Sequence, residues 1–256
     1  MNKYDFKTQP AILIQGAMDS ETEYLIGQLK DKTCVSVGNW RFYTGFLGRY
    51  EEPVILSKTY QGMVNASAAT SLAMVSFHIK AVINQGIAGG HDPKMHLGDI
   101  VLGEKVVPMG AVMRGYSAAG TGIDETDFEL LKIEVYNGNE RKTEKVEQFM
   151  CDQRLLALAE RVQCPQRKVR GVLGSADEWN NQLDRIALLR ERYHTTAEDM
   201  ESAAVAQLCL SYGVPFIGIR ILSNSIVNNE EFDESQGEGI QRFIYQYVEI
   251  LHDYSE

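Results

Sequence analysis

Residues 196–222, TAEDMESAAVAQLCLSYGVPFIGIRIL, decide the fold class of this chain. Over 196–212 the apolar residues run almost all the way round a helix that Gly213 ends, so the pattern predicts a buried helix. The next segment, Val214–Leu222, is a continuous apolar strand with one charge, Arg220. Such unbroken strands are typical of a sheet that helices cover on both faces.

Strand-like and helical segments alternate along the rest of the chain. The predicted strands cover 11–15, 53–58, 81–84, 99–107 and 169–173, and the predicted helices cover 20–29, 64–79 and 239–254. This alternation predicts an α/β fold, a three-layer α/β/α arrangement around a central twisted, largely parallel (mixed) sheet. The length suits a single domain over 1–256. The polar stretch at about 110–150 is predicted to be a partly helical excursion that forms a lid or a dimer contact.

Charge and composition argue against several kinds of partner. The net charge of −10 disfavours a nucleic-acid surface, which needs a basic footprint. No apolar run reaches the length that spans a bilayer, and residues 1–10 contain no signal-peptide core, so we expect a cytoplasmic protein without a membrane partner. The cysteines form no CxxC pair, and the spacing of His91 and His96 does not suit two ligands on one helix face. We therefore predict neither a metal nor a cofactor.

Small and polar residues follow several of the predicted strands. In open α/β sheets, ligands bind beyond the carboxyl ends of the strands. These segments should therefore line one crevice, which the start of the 196–212 helix enters with Met200 and Glu201. The segments are 16–21, the glycine-rich turn at 85–90, 174–181 and 223–225.

Two carboxylates in this crevice suit the cleavage of a glycosidic bond, which passes through an oxocarbenium-like transition state. Glu201 could accept hydrogen bonds from sugar hydroxyls, and Glu21 could activate water. Trp179 could pack on a flat ring. Each residue also has a plainer reading: Glu21 as an exposed carboxylate in a first helical turn, Glu201 as the buried partner of Arg220, and Trp179 as a core or interface aromatic.

Five motifs in order give the chain a family resemblance. They are GAM through Glu21, NQGIAGG at 84–90, GDIV at 98–101, EDMESAA at 198–204, and GVPF through RILS at 213–223. The chain resembles the nucleoside phosphorylase and nucleosidase superfamily, most of all the 5′-methylthioadenosine/S-adenosylhomocysteine nucleosidases. The resemblance covers roughly 11–250, although 110–150 matches poorly. It implies a purine nucleosidase that works as a homodimer on a small nucleoside.

The resemblance also assigns roles to individual residues. It implies that Glu21 activates the water, that Arg220 lies near this water, and that the position of Asn224 faces purine N7. Trp179 would stack on the base, and the backbone of Asn180 would read the purine edge. The other implied substrate contacts are the ribose-binding Met200 and Glu201, the segment Ile87, Ala88 and Gly89, and Ser223.

Two departures from the family pattern affect the chemistry. Ile87 stands where the nucleosidases usually have serine, and Asn224 stands where they have the aspartate that protonates N7. An asparagine amide can donate and accept hydrogen bonds but cannot transfer a proton. It could pair with N6 and N7 of adenine or with O6 and N7 of a 6-oxopurine, so inosine-like or futalosine-like substrates stay open.

The nucleophile is the other open question. Relatives that use phosphate carry arginines near the first glycine loop and the central glycine turn, where this chain has Asp19 and Ser20, then Gln85 and Ile87. Water is therefore the expected nucleophile. A phosphorylase and a catalytically weak nucleoside-binding protein are the alternatives.

Overall fold

A computed structural model describes residues 4–252 of the chain. The predicted end of the last helix at residue 254 lies outside this range. The strands are β1 (Ala11–Gly16), β2 (Lys30–Val37), β3 (Trp40–Leu47), β4 (Glu52–Lys58), β5 (Ile79–Gly90), β6 (Ile100–Pro108), β7 (Val112–Met113), β8 (Glu129–Leu130), β9 (Ile133–Asn137), β10 (Lys142–Val146), β11 (Phe149–Met150), β12 (Lys168–Ser175), β13 (Thr195–Asp199) and β14 (Phe216–Asn224). The α-helices are α1 (Glu23–Gln28), α2 (Met63–Ser76), α3 (Gln153–Glu160), α4 (Leu183–Tyr193), α5 (Ser202–Tyr212) and α6 (Gln236–Leu251).

A mixed sheet of ten strands forms the centre of the molecule, as the alternation of segments predicts. Its order is β11-β6-β12-β13-β5-β1-β4-β3-β2, and β14 pairs with both β5 and β6. The ladders β1·β4, β1·β5, β5·β14, β6·β12 and β12·β13 are parallel. Because β14 joins β5 to β6, the strands β5, β14, β6, β12 and β13 close on themselves. Two short hairpins, β7·β8 and β9·β10, lie apart from this sheet.

Helices cover both faces of the sheet. Helix α2 packs against α5, and α6 packs against α1 and α3. The burial of β14 is complete along its length, as expected for a strand covered on both faces. Within residues 4–252, no helix is long and apolar enough to cross a membrane.

The predicted helix over 196–212 is wrong at its start. Residues 195–199 form β13, which pairs with β12 and β5, and α5 begins only at Ser202. Ala, Glu and Met are good helix formers, so the local pattern favours a helix. Sheet pairing on both sides overrides this preference, and the consequence is functional: Glu198 to Glu201 lie at the end of a strand instead of inside a helix.

The predicted glycine turn at 85–90 is also wrong, because these residues continue β5. They pair with β14 up to Gly89, and none of the three glycines has a positive φ. The glycines serve a different purpose, which is close approach of neighbouring groups. A Cβ on Gly86 would lie 2.4 Å from Glu21 Oε1.

The excursion at about 110–150 also differs from the partly helical structure that the sequence predicts. Over 115–148 the described backbone contains β8, β9 and β10 and no helix. The strands β2 and β3 were not predicted, since most of β2 is exposed and lacks an apolar run.

Candidate active site

A cavity of about 580 Å³, including its open mouth, lies at the carboxyl ends of β1, β5, β12 and β14. Most of the predicted site residues line it together: Glu21, Ile87, Ala88, Gly89, Trp179, Met200, Glu201, Ser223 and Asn224. Arg220 and Asn180 do not line it. Ala17, Met18 and Glu178 also line it and belong to segments predicted to line the crevice. Gln61, Glu198, Asp199 and Phe232 line it without having been predicted as site residues.

Glu21 is buried at the inner end of the cavity and accepts three backbone hydrogen bonds. Its Oε2 accepts from the N–H groups of Ala17 and Met18 at 2.6 and 2.9 Å, and its Oε1 accepts from Ile87 N at 2.8 Å. Burial raises the pKa of the Glu21 carboxyl, while the N–H of Ile87 and the charge of Arg220 oppose this rise. The main chain at Ile87 therefore holds the carboxylate, whatever the side chain at this position.

Glu201 lies across the cavity from the β5 segment. It is 8% exposed, and its Oε1 accepts a hydrogen bond from Gly62 N at 2.9 Å. Burial, followed by the negative charge of Asp199, raises the pKa of Glu201 to about 7. Gly62 has φ +92, a conformation that favours glycine. The hydrogen bond from residue 62 to Glu201 therefore depends on glycine at this position.

Arg220 lies beneath the cavity and is 1% exposed. Its guanidinium pairs with Asp199 at 3.2 Å and donates from Nη1 to Asn84 O at 2.8 Å. The alternative that Glu201 is the ion-pair partner of Arg220 is therefore wrong. The charge of Arg220 still opposes the rise in the pKa values of Glu21 and Glu201. Arg220 acts on the site through its charge and not by touching the cavity.

The sequence does not single out Asp199, because the local pattern predicts a helix over 196–212. The Oδ1 of Asp199 accepts from the N–H groups of Glu201 and Ser202 at 3.0 and 2.9 Å, just before α5. An acidic residue next to a helix start is a recognisable capping signal. With the boundary of α5 in place, this signal would have identified Asp199 as the residue that fixes the backbone of Glu201.

The opposite end of the cavity holds Asn224, Glu198 and the loop at Trp179. Asn180 donates to Glu198 through its backbone N–H at 2.9 Å and through its side-chain amide. The backbone N–H that was expected to read a purine is thus already engaged by Glu198. Buried His91 lies on the far side of Glu198, with Nε2 3.1 Å from its Oε2.

Two aromatic rings stand at the mouth. Trp179 is 56% exposed and meets Phe232 edge to face, with ring centroids 5.4 Å apart. Phe232 belongs to the acidic stretch 228–238. The sequence signal that could have identified Phe232 is an aromatic residue within an acidic stretch.

The electrostatic character of the cavity is anionic. Among the described residues, those that line it include five carboxylates, namely Glu21, Glu178, Glu198, Asp199 and Glu201, and no Lys, Arg or His. Asp199 is paired with Arg220, and the other carboxylates still give a surface that favours positive charge over anions.

The fold and this cavity define an α/β protein with a small-molecule site at the carboxyl ends of its strands. The chain belongs to the Phosphorylase superfamily, whose sequence model matches residues 11–251.

Three comparisons narrow the relationship. The 5′-methylthioadenosine/S-adenosylhomocysteine nucleosidase of Marinomonas sp. is 33% identical over 82% of this chain and 83% of its own. The structure of the enzyme of that name from Neisseria meningitidis, in complex with methylthio-immucillin-A, has a TM-score of 0.73 at 24% identity, covering 93% of this chain and 98% of that one. Futalosine hydrolase of Helicobacter pylori has a TM-score of 0.71 at 21% identity, covering 95% and 96%. The last two comparisons establish the shared fold.

Proposed function

We propose that this protein is a nucleosidase that uses water to release the base from a 5′-modified purine nucleoside, of the kind represented by 5′-methylthioadenosine and S-adenosylhomocysteine. The observation that supports water best is the lining of the cavity, with five carboxylates and no cationic side chain among the described residues. A phosphate nucleophile carries negative charge and would be repelled there. The similarity to nucleosidases over most of the chain agrees with this proposal.

Glu201 and Met200 would hold the ribose. A carboxylate with one oxygen fixed by Gly62 N keeps acceptor positions free for the sugar hydroxyls. Hydrogen bonds to a charged acceptor are about twice as strong as neutral ones. As the glycosidic bond breaks, positive charge grows on the sugar, and the surrounding carboxylates stabilise this charge.

Glu21 would act as the general base toward water. Three backbone donors fix its orientation, and its raised pKa makes it a better proton acceptor near neutral pH than an exposed glutamate. Arg220 counteracts part of this rise, so the carboxylate can still be ionised before it accepts the proton.

Trp179 would pack on the departing base, since it lies at the mouth of the cavity with Phe232 beside it. Asn224 would hold N7 by a hydrogen bond. Because the Asn224 amide supplies no proton, the departure of the base depends mainly on the stability of the leaving base itself.

Product analysis tests the proposal directly. Matched purine nucleosides are incubated with and without inorganic phosphate, and free base, free pentose and sugar 1-phosphate are measured. We expect base and free pentose without added phosphate. A strict phosphate requirement with sugar 1-phosphate as product would make the protein a phosphorylase, and tight binding without turnover would make it a nucleoside-binding protein.

The whole chain, 1–256, is proposed to act as a single domain in a cytoplasmic homodimer. Apolar side chains on one helix support an interface: Val64 and Val75 of α2 are 79% and 70% exposed. Association of two copies would remove these side chains from water. Sedimentation of the purified protein measures whether two copies associate.

A further inference from the structure

We propose that Gln85 and Gln241 are positioning residues for Glu21. Each glutamine donates from its side-chain amide to a main-chain carbonyl group of the turn Asp19–Glu21, and this anchors the turn from which the Glu21 carboxylate projects. The inference rests on the proposed function for one point, that Glu21 accepts a proton from the attacking water. It extends the site to two buried residues that do not line the cavity.

Gln85 holds the carbonyl group of Glu21 itself. The residue is buried on β5, and its Nε2 donates to Glu21 O at 2.6 Å. Among residues 4–252, none forms a hydrogen bond with its Oε1. A buried amide with one unpartnered oxygen lowers stability, whereas an apolar side chain of similar size would not. The contact with Glu21, and not packing, therefore accounts for an amide at this position.

Gln241 holds the preceding carbonyl group, that of Ser20. It is a buried residue of α6. Its Nε2 donates to Ser20 O at 2.7 Å and to Gly237 O at 3.0 Å. Its Oε1 accepts from Leu25 N at 3.1 Å, one of the N–H groups at the start of α1 that have no partner within that helix. A single amide therefore ties the turn and the start of α1 to α6.

Glycines allow both contacts. A Cβ on Gly16 would lie 2.7 Å from Gln85 Nε2 and 2.9 Å from Glu21 Cβ. A Cβ on Gly237 would lie 2.5 Å from Ser20 O. A side chain at either position would push the turn away from its neighbours, which glycine does not. The turn is thus held closely at two adjacent carbonyl groups, one of them from β5 and the other from α6.

The anchored turn determines where the Glu21 carboxylate lies. Gln85 fixes the main chain of Glu21 to β5, and the N–H of Ile87 on the same strand donates to Glu21 Oε1 at 2.8 Å. If the turn shifts, the carboxylate loses alignment with its donors, because hydrogen bonds weaken steeply away from their preferred geometry. Loss of these donors raises the pKa of Glu21 further and moves the general base away from the water.

The amide proton of Ile87 tests the inference without relying on turnover, because this N–H is hydrogen-bonded to the Glu21 carboxylate. Its NMR chemical shift is followed from pH 4 to pH 9 in the unaltered protein, in Gln85→Met and in Gln241→Met. The values of kcat and KM are measured at pH 8 on a purine nucleoside that the unaltered protein hydrolyses.

The matched control is Tyr247→Phe. This change also removes a buried side-chain hydrogen bond from α6, the one from Tyr247 Oη to Leu155 O at 2.7 Å, and Tyr247 does not line the cavity. The control should lower the melting temperature and leave the Ile87 titration, kcat and KM unchanged. A merely structural role for the glutamines would give the same result in their variants.

We expect the midpoint of the Ile87 titration to rise by about one pH unit in Gln85→Met and in Gln241→Met, the effect of losing one hydrogen bond to a charged group. In both variants kcat should fall about tenfold, and KM should change less than about twofold because the substrate contacts stay in place. The inference is overturned if the two variants keep either the midpoint or the kcat of the unaltered protein.

Two provisions keep the outcomes separate. Gln85→Met loses a buried oxygen that has no partner among the described residues, so it should fold, and it decides alone if the melting curve shows that Gln241→Met does not. Hydrolysis with unchanged kcat and midpoints in the variants removes this inference and leaves the proposed function. A shifted midpoint in a protein that hydrolyses no nucleoside removes the proposed function and leaves the positioning of Glu21.

Discussion

Glu201 shows how burial changes the properties of a single carboxyl group. The carboxyl is nearly enclosed, next to Asp199, and its pKa of about 7 follows from both. A group whose pKa is raised in the folded state binds its proton more tightly there. The stability that it contributes is therefore greatest at low pH and is lost as the pH rises through about 7.

Glu201→Gln should lower kcat/KM at least about tenfold, because a charged acceptor for the ribose hydroxyls becomes a neutral one. In the unaltered protein, kcat/KM should fall as the pH drops below about 7, where Glu201 becomes protonated, and the variant should lack this part of the pH dependence while keeping the part that Glu21 contributes. Steady-state kinetics from pH 5 to 9 measure both. The variant should melt no earlier than the unaltered protein above pH 7, since it removes a buried charge. A stable variant with unchanged kinetics would make Glu201 structural.

Asn224→Asp should change the preferred base. An aspartic acid can carry the proton to N7, so activity on 5′-methylthioadenosine should rise. General acid catalysis is typically worth about 10²–10⁴-fold, which sets the upper limit of this gain. Activity on the matched 6-oxopurine nucleoside should fall, because an ionised carboxylate would face O6. The ratio of kcat/KM for the two substrates is the measurement. If the unaltered protein already favours adenine strongly and the variant gains nothing, another group protonates the base.

The sequence was sufficient to find side chains that follow strand ends, because parallel strands bring their carboxyl ends to one edge. Glu21 and Asn224 were found in this way, whereas Glu201 was placed at the start of a predicted helix, and the roles of all three stay predictions. Glu198 was not predicted as a site residue, because its place in the cavity depends on which residue of β5 it pairs with. Register between distant strands is not visible in local sequence.

At the scale of elements, β5 explains why the glycines at 86–90 are needed. A turn was expected there, but an extended strand passes directly beneath Glu21. Glycine in a strand marks either a close approach of other groups or a bend, and only the neighbouring elements decide between the two.

Gly86→Ala should disable the site through Glu21. A Cβ at position 86 would lie 2.4 Å from Glu21 Oε1 and 3.0 Å from its Cδ, so the carboxylate must leave its backbone donors. We expect kcat to fall by about 10²-fold or more, the contribution of a well-placed general base. The control is Gly27→Ala in α1, where a Cβ meets nothing within 4 Å. Turnover and melting temperature are measured for both, and normal turnover in Gly86→Ala would contradict the role given to Glu21.

At the scale of the whole molecule, the fold class followed from the alternation of apolar strands and helices, which the sheet and its two helix layers confirm. The closure of β14 onto both β5 and β6 could not be predicted. It depends on how far the sheet curls, which is a property of packing between elements and has no local signature. The hairpins of the excursion are short and polar, and the alternation in β9 covers only Ile133–Asn137, so their strand signal is weak.

The cavity also has a consequence for the order of events during synthesis. Met18 and Phe232 both line it, although most of the sequence separates them. Bringing such distant segments together lowers the conformational entropy of the chain before their contact stabilises the fold. A growing chain therefore has no binding site until Phe232 has left the ribosome and β14 has closed between β5 and β6. A nucleoside can bind only to the finished fold, and in doing so it favours the folded chain over all incomplete ones.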